Sequence, residues 1–492
     1  MKYFKYATAV LLTGIMASCG NDFITIEPTD VATEDQIQDL AKDDPIAALQ
    51  PFLNGIYYNF DFNHAIGGTG NILDHTDGGF AGIMMLSDIM SNDISLSNPN
   101  DSWGYDHKLD YYQEEYVRAY QPWNFFYTLI KDANNILPQM PEDTNAEGNA
   151  IKGQALAIRG MSYAYLAQFY QKTYVGNEDK PGVPLLLSKT EESIMTRASL
   201  RQVYERVEKD LLEAIDLLDG WERKNKSQID KSVAQGLLSR VYLVMNKWTE
   251  AAAMARAART GYSLMTAQEA GKDGYNNIEN KEWMWGADIT AETTQKFASF
   301  FSWMCSTDAG YGGKIKLYRL IDANLYSQIG DNDARKNLFL APNVKNDPYG
   351  RPGWTNDKFK KVEGWLGDYV YMRVSEMYLT EAEALARGGN EGQAASVMKE
   401  FMAMRDPDWN KATISGDQVY TQRRLELWGE GFGYFDCRRL KRDLVRKYTG
   451  TNETQSMQLN IPADSYEWTY QIPLREIQNN EYITEADQNK LE

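Results

Sequence analysis

DYVYMRVSEMYLTEAEALAR, Asp368 to Arg387, is the stretch whose reading decides the fold. Val374, Met377, Tyr378, Glu381 and Leu385 recur at helical spacing, and Ala382, Ala384 and Ala386 are strong helix formers, which predicts one amphipathic helix over the stretch. Gly388 and Gly389 follow as its stop signal. A second helical stretch comes next, GQAASVMKEFMAMR. Together the two repeat the rhythm of an earlier pair: Leu385, Ala394 and Phe401 match Tyr242, Ala251 and Ala258, nine residues and then seven apart in both. Small residues at that spacing let two helices approach closely while aromatics fill the groove, as in tetratricopeptide-type hairpins. No strict tandem array is visible, so the expected fold is mainly α, helical hairpins with long irregular insertions.

Upstream, SVAQGLLSRVYLVM and WTEAAAMARAART make the earlier pair. Ser199 with Gln202 reads as a capping box ahead of LRQVYERVEKDLLEAIDLL, whose Val203, Val207, Leu211, Ile215 and Leu218 form a buried stripe. YVRAYQPWNFFYTLIKDANNIL and IKGQALAIRGMSYAYLAQFYQ form a long hairpin, and Asp44-Pro45 opens a helix through AALQPFLNGIYYNF. Periodicity fails twice. Residues 61–110 hold Gly67, Gly68, Gly70, Gly78, Gly79 and Gly82 around one short helix, AGIMMLSDIM. Residues 261–367 hold EWMWGADI, which alternates like a strand with Trp283 and Trp285 on one face, and then glycine- and aromatic-rich loops.

At 492 residues the chain can bury a large core, and the interlocking helices favour one body. Its formal charge is -18, with no long basic run, which argues against nucleic acid as a partner. MKYFKYATAVLLTGIMASC has Lys2 and Lys5, an apolar run from Ala7 to Met16 and small residues before Cys19, the pattern of a bacterial lipoprotein signal. Removing it would take the charge to -20. Cys19 is then the expected lipidated residue, and residues 19–44, polar with Pro28, a tether. Cys305 and Cys437 read as isolated buried thiols.

RVSEMYLTEAEAL, followed by RRLELWGEGFGYFDCRRLKR, resembles the C-terminal half of the SusD/RagB family of outer-membrane nutrient-binding lipoproteins. IKGQALAIRGMSYAYLAQFYQ with VPLLL after it, SVAQGLLSRVYLVMNKWTEAAAMA and YQIPLREIQNN agree in order, so the resemblance covers essentially the whole chain. Gly433, where relatives usually carry a basic residue, and Glu481, where a proline often stands, depart from the pattern. The resemblance implies a SusD-like fold with a loop-rich irregular lobe, and a surface protein anchored by lipid in the outer membrane and facing outward. It further implies binding of oligosaccharide without cleavage, and a SusC-like TonB-dependent channel as partner. Alternatives are a peptide ligand, as some relatives take, a surface glycoside hydrolase, and a purely structural helper of the channel. The expected organisation is 1–18 signal, 19–44 tether and 45–492 one body: a helical part 45–260 with insertion 61–110, the irregular lobe 261–367, and C-terminal helical motifs 368–492.

With 31 Tyr and 12 Trp, several in the irregular regions, the chain has the rings that a glycan binder needs, because the apolar face of a pyranose packs on an aromatic while polar groups take its hydroxyls. NPNDSWGYDH offers Asn100, Asp101, Trp103 and Tyr105; FFSWMCSTDAGYGGK offers Trp303, Asp308 and Tyr311; Trp354 follows a Gly/Pro turn. These eight are the expected ligand residues. No catalytic group, cofactor or metal is expected: His64, His75 and His107 lack ligand spacing, and His75 with Asp74 and Asp77 reads as exposed loop. DNDAR lacks a calcium loop's glycine and terminal glutamate, so Asp333 and Arg335 read as a structural pair. Arg373, Glu376, Glu381, Arg424, Glu426, Glu430 and Arg438 read as ion pairs that lock helices.

Overall fold

The computed structural model describes residues 42, 44–60, 75–110, 112–142, 144–360 and 363–491. Cys19, the signal, the tether before residue 42, and His64 and Asp74 lie outside them. Eleven helices carry the fold: α1 (Pro45–Phe60), α2 (Gly79–Ile89), α3 (Val117–Ile136), α4 (Ala146–Tyr170), α5 (Leu200–Leu217), α6 (Lys231–Val244), α7 (Trp248–Ala258), α8 (Val374–Arg387), α9 (Glu391–Met402), α10 (Gly416–Glu426) and α11 (Gly433–Arg439). Each long helix packs on its successor from α3 through α7. Then α7 lies on α8, and α8 on α9 and α10, so the fold is mainly α, of tetratricopeptide-like hairpins.

Local chemistry sets these elements. The expected capping box forms: Ser199 Oγ accepts from the Gln202 N–H, and Gln202 Oε1 accepts from the Ser199 N–H at 2.9 Å. Asn145 caps α4 by accepting from the Gly148 N–H, and Asp230 caps α6 by accepting from the Val233 N–H. Along α4, Gly153 and Gly160 admit α5 closely; a Cβ at Gly153 would sit 2.9 Å from Leu218 Cγ, and one at Gly160 3.2 Å from Leu211 Cγ. The stripe Val203, Val207, Leu211 and Leu218 is buried.

The deciding stretch is not one helix. Tyr369–Arg373 is strand β4, paired antiparallel with β2 (Trp283–Ala287), and only from Val374 does the helix run, to Gly388 and to Gly389 at φ +89°. The alternating, aromatic and β-branched run YVYMR suits a pleated ladder better than a helix, and a partner strand was at hand. In β2 the ladder shifts on either side of Trp285, so Trp283 and Trp285 do not share a face: Trp285 joins the main core, and Trp283 a small cluster with Ile278 and Val370. A second ladder, β1 (Ile94–Leu96) against β3 (Arg319–Ile321), joins the two irregular regions to each other.

Charges lock the assembly as expected. Arg373 Nη1 lies 2.6 Å from both Glu282 and Glu426, its Nε 2.7 Å from Glu430, and Arg405, Arg335 and Lys358 complete the buried cluster. Glu376 takes Arg240 of α6 at 2.6 Å, Glu381 takes Arg256 of α7 and Arg259 just past its end at 2.7 Å, and Arg424 pairs with Asp93. Asp333 and Arg335 pair at 2.6 Å. Arg438 differs: it donates to the carbonyls of Gln168 and Gln171, to Tyr434 Oη and to Thr469 Oγ1, holding loops by their backbone. Gly433 is accounted for by space and hydrogen bonding, since its N–H donates to Asp88 and a Cβ there would strike Ser91. Cys305 and Cys437 are buried free thiols.

Candidate functional site

The two stretches singled out for ligand contact do meet, but with their tryptophans turned inward. Trp103 is 0% exposed and Trp303 2%; they pack edge to face, ring centroids 6.3 Å apart. Arg118 lies over Trp103 at 4.8 Å and Arg319 over Trp303 at 5.7 Å. Arg319 pairs with Asp101 at 2.5 Å, and the Asp101 carboxylate also caps the Trp103 N–H. Asp101, Trp103 and Trp303 are therefore foundations and cannot be ligand contacts in this conformation. Desolvating those large rings against each other outweighs exposing them, and two guanidinium groups cover what remains.

What stands on this base is a half-exposed set of rings that the sequence reading credits only in part. Tyr311, at the start of the one-turn helix Tyr311–Lys314, packs edge to face on Trp303 at 5.5 Å and is itself half-buried. Phe297, 44% exposed, lies 5.3 Å from Tyr311, and the exposed His75 ring stacks on Phe297 at 5.3 Å. Trp365 meets Phe297 at 5.1 Å. Four separate segments thus converge on one aromatic cluster.

Hydrogen bonds and backbone conformation fix it. Trp303 Nε1–H donates to the His75 carbonyl at 2.5 Å, and Trp365 Nε1–H to the Ala309 carbonyl at 2.6 Å. The second bond also pins the loop at Ala309, next in sequence to the exposed Asp308. Lys296 (φ +49°) and Trp365 (φ +60°) hold left-handed backbone next to or at a ring-bearing residue, a cost of order 1–3 kcal/mol each that the surrounding packing sustains. Leu366 adds an exposed apolar side chain. Clustered apolar exposure of this kind marks an interaction surface.

The remaining expected residues fall elsewhere. Asn100 and Tyr105 are exposed beyond the buried pair, Tyr105 with the Lys108 ammonium over its ring at 4.6 Å. Trp354 is half-buried, with its backbone spliced between Leu340 and Ile321. His107, far from being a loose loop residue, is buried between the Ile89 carbonyl and Glu453, 2.9 Å from each, and burial followed by the Arg446 charge lowers its pKa. Asp77 accepts from Gln121. No group of three or more potential metal-binding side chains occurs among the described residues, nor does any helix there have the length and apolarity to cross a membrane. Phe297 and Trp365 each had one legible signal, a large ring in a polar or glycine-flanked run, TTQKF and EGWLG. His75 had none.

A larger recess, about 950 Å³, lies between α3 and the Leu186–Lys189 loop, lined by Lys131, Asn135 and Gln139 among others. Tyr127, the one aromatic ring among its described lining residues, is tied by its hydroxyl to the Pro184 carbonyl. Volume alone favours that recess, but the open ring faces are at the cluster, which we take as the site.

Fold and cluster define a class: a scaffold of helical hairpins that presents a fixed aromatic surface from a loop lobe. The model of a family described as starch-binding, associating with outer membrane, matches residues 60–243, and that of the SusD family matches 349–490. The chain belongs to the SusD/RagB family. A SusD-like carbohydrate binding protein from Bacteroides vulgatus is 26% identical, with TM-score 0.76 over 91% of this chain and 98% of that one. A SusD superfamily protein from Bacteroides thetaiotaomicron is 21% identical, TM-score 0.72, over 90% and 99%. Surface glycan-binding protein A from Bacteroides thetaiotaomicron, solved with laminarihexaose, is 17% identical, TM-score 0.66, over 89% and 98%. No curated protein matches.

Proposed function

We propose that the protein binds oligosaccharide at the cell surface through the cluster of His75, Phe297, Tyr311 and Trp365, with Asp308 at its edge, and does not cleave it. The observation that carries this reading is the set of partly exposed rings, fixed by indole hydrogen bonds on a buried tryptophan base. A sugar's apolar face can stack there without the protein first paying to order its rings. Family membership supports the same reading, as do relatives named for carbohydrate and glycan binding. On this reading Cys19 carries the lipid anchor in the outer membrane, residues 45–492 act as one body, and a SusC-like TonB-dependent channel receives the ligand.

The test is a glycan array with the chain from Gly20, then calorimetry on each hit with Phe297→Ala and Trp365→Ala. Loss of about tenfold or more in affinity in either variant, with no product released on long incubation, is the expected result. Hits that both variants leave untouched would sink the site, and released product would sink the non-catalytic reading.

A further inference from the structure

The orientation of the rings narrows the ligand class. Resting on the glycan reading above, we propose that the cluster selects oligosaccharides whose successive sugar rings turn against one another, and discriminates against flat ribbon-like chains. His75 and Phe297 lie nearly parallel, 26° apart, but stacked face on face, so the pair offers outer faces and not a continuous floor. Tyr311 stands at 76° to Phe297 and 82° to His75, and Trp365 at 52° to Phe297. The rings therefore meet as a corner and share no common plane, with neighbouring centroids 5.1 to 5.6 Å apart. A ribbon lays its sugar faces in parallel planes and can press on one such face at a time. A chain that turns from sugar to sugar can set consecutive faces against inclined rings.

The corner cannot flatten to suit a ribbon. Trp365 is held by its indole bond to Ala309, and Tyr311 is backed at 87° by the buried Trp303, whose own indole N–H holds the His75 carbonyl. Gly364 (φ +65°) and Trp365 (φ +60°) are successive left-handed residues that set where the Trp365 side chain leaves the backbone, and swinging its ring away would break the indole bond. Rigidity of this sort converts ring angle into selectivity, since a poorly matched ligand cannot recover the contacts by induced fit.

Calorimetry with hexasaccharides of equal length tests it, using the chain from Gly20. Cellohexaose and mannohexaose represent flat chains; maltohexaose, laminarihexaose and xylohexaose represent turning ones. We expect at least one turning hexasaccharide to bind about tenfold or more tightly than either flat one, and Phe297→Ala and Trp365→Ala to erase most of that margin. A flat chain binding as well or better, with loss in both variants, overturns the shape selectivity and leaves the site standing. Binding that neither variant alters, in proteins whose melting is unchanged, overturns site and selectivity together, as does silence across all five sugars at millimolar concentration.

Discussion

The hairpin stack and the loop lobe become rigid by different means. Where α4 meets α5 the backbone is satisfied within each helix, and the close approach at Gly153 and Gly160 is a matter of shape. In the lobe the ladders are short or broken by bulges, and side chains hold the loop carbonyls instead. The indoles of Trp283, Trp285, Trp303 and Trp365 donate to the carbonyls of Gly274, Ser227, His75 and Ala309, and Lys358 holds those of Glu426 and Trp428. Large rings with one polar handle can thus replace a ladder. The lesson for function is that irregular backbone is not slack backbone, and rings presented from it keep their angles.

The sharpest way to break this division is to cut the buried charge cluster that spans both regions. Arg373 closes β4 and joins Glu282 of the lobe side to Glu426 at the end of α10 and Glu430 in the turn that follows. Arg373→Met leaves three buried carboxylates short of a partner, and a loss of roughly 3–5 kcal/mol or outright failure to fold is expected in chemical denaturation. A fully stable variant would mean that the regions are held by apolar packing alone. Glu376→Gln cuts a bond within the stack only, between Arg240 of α6 and α8, and should cost less, about 2–3 kcal/mol, with the lobe and any ligand affinity unchanged.

Glu383 provides a pH signature for the stack. Burial pushes its carboxyl up, but Arg439, then Arg387 and Arg423, outweigh that and bring it down to about 2, against 4.5 for a free glutamate. A native pKa below the unfolded one means that stability is present above pH 4.5 and is lost as pH falls toward 2. Glu383→Gln should therefore be destabilised by about 3 kcal/mol at pH 7, with the gap to the wild type closing over that acid window. A gap constant with pH would show that the side chain acts by shape and not by charge.

How far the sequence carried depended on which residues see only their neighbours. Helix stripes, the Ser199 capping box and the Asp333–Arg335 pair are local events, and all three were legible. The strand at Tyr369–Arg373 was hidden because its partner lies about 90 residues away, and helix-forming alanines just downstream extended the pattern over it. Trp103 and Trp303 failed as ligand residues for a related reason: a tryptophan in a loop reads as exposed until its edge-to-face partner, 200 residues distant in sequence, is known. Tyr311, from the same stretch as Trp303, is the half-buried ring that packs on it in the aromatic cluster.

The finest test asks whether the lobe's rigidity reaches the ligand, and it compares the two buried tryptophans. Trp303 Nε1–H holds the His75 carbonyl, whereas Trp103 Nε1 is buried without a hydrogen-bond partner among the described residues. Replacing either by Phe removes a similar volume, so the cavity cost is common to both. Only Trp303→Phe also frees a carbonyl, which adds about 1 kcal/mol. More telling is affinity: in Trp303→Phe the segment bearing His75 loses its anchor and the corner loosens, while in Trp103→Phe the same corner keeps every bond. We expect glycan affinity to fall a few-fold in the first variant and to hold in the second, at matched stability. Equal affinity in both would mean that the rings are fixed by packing on one another, and that the indole bond contributes to folding alone.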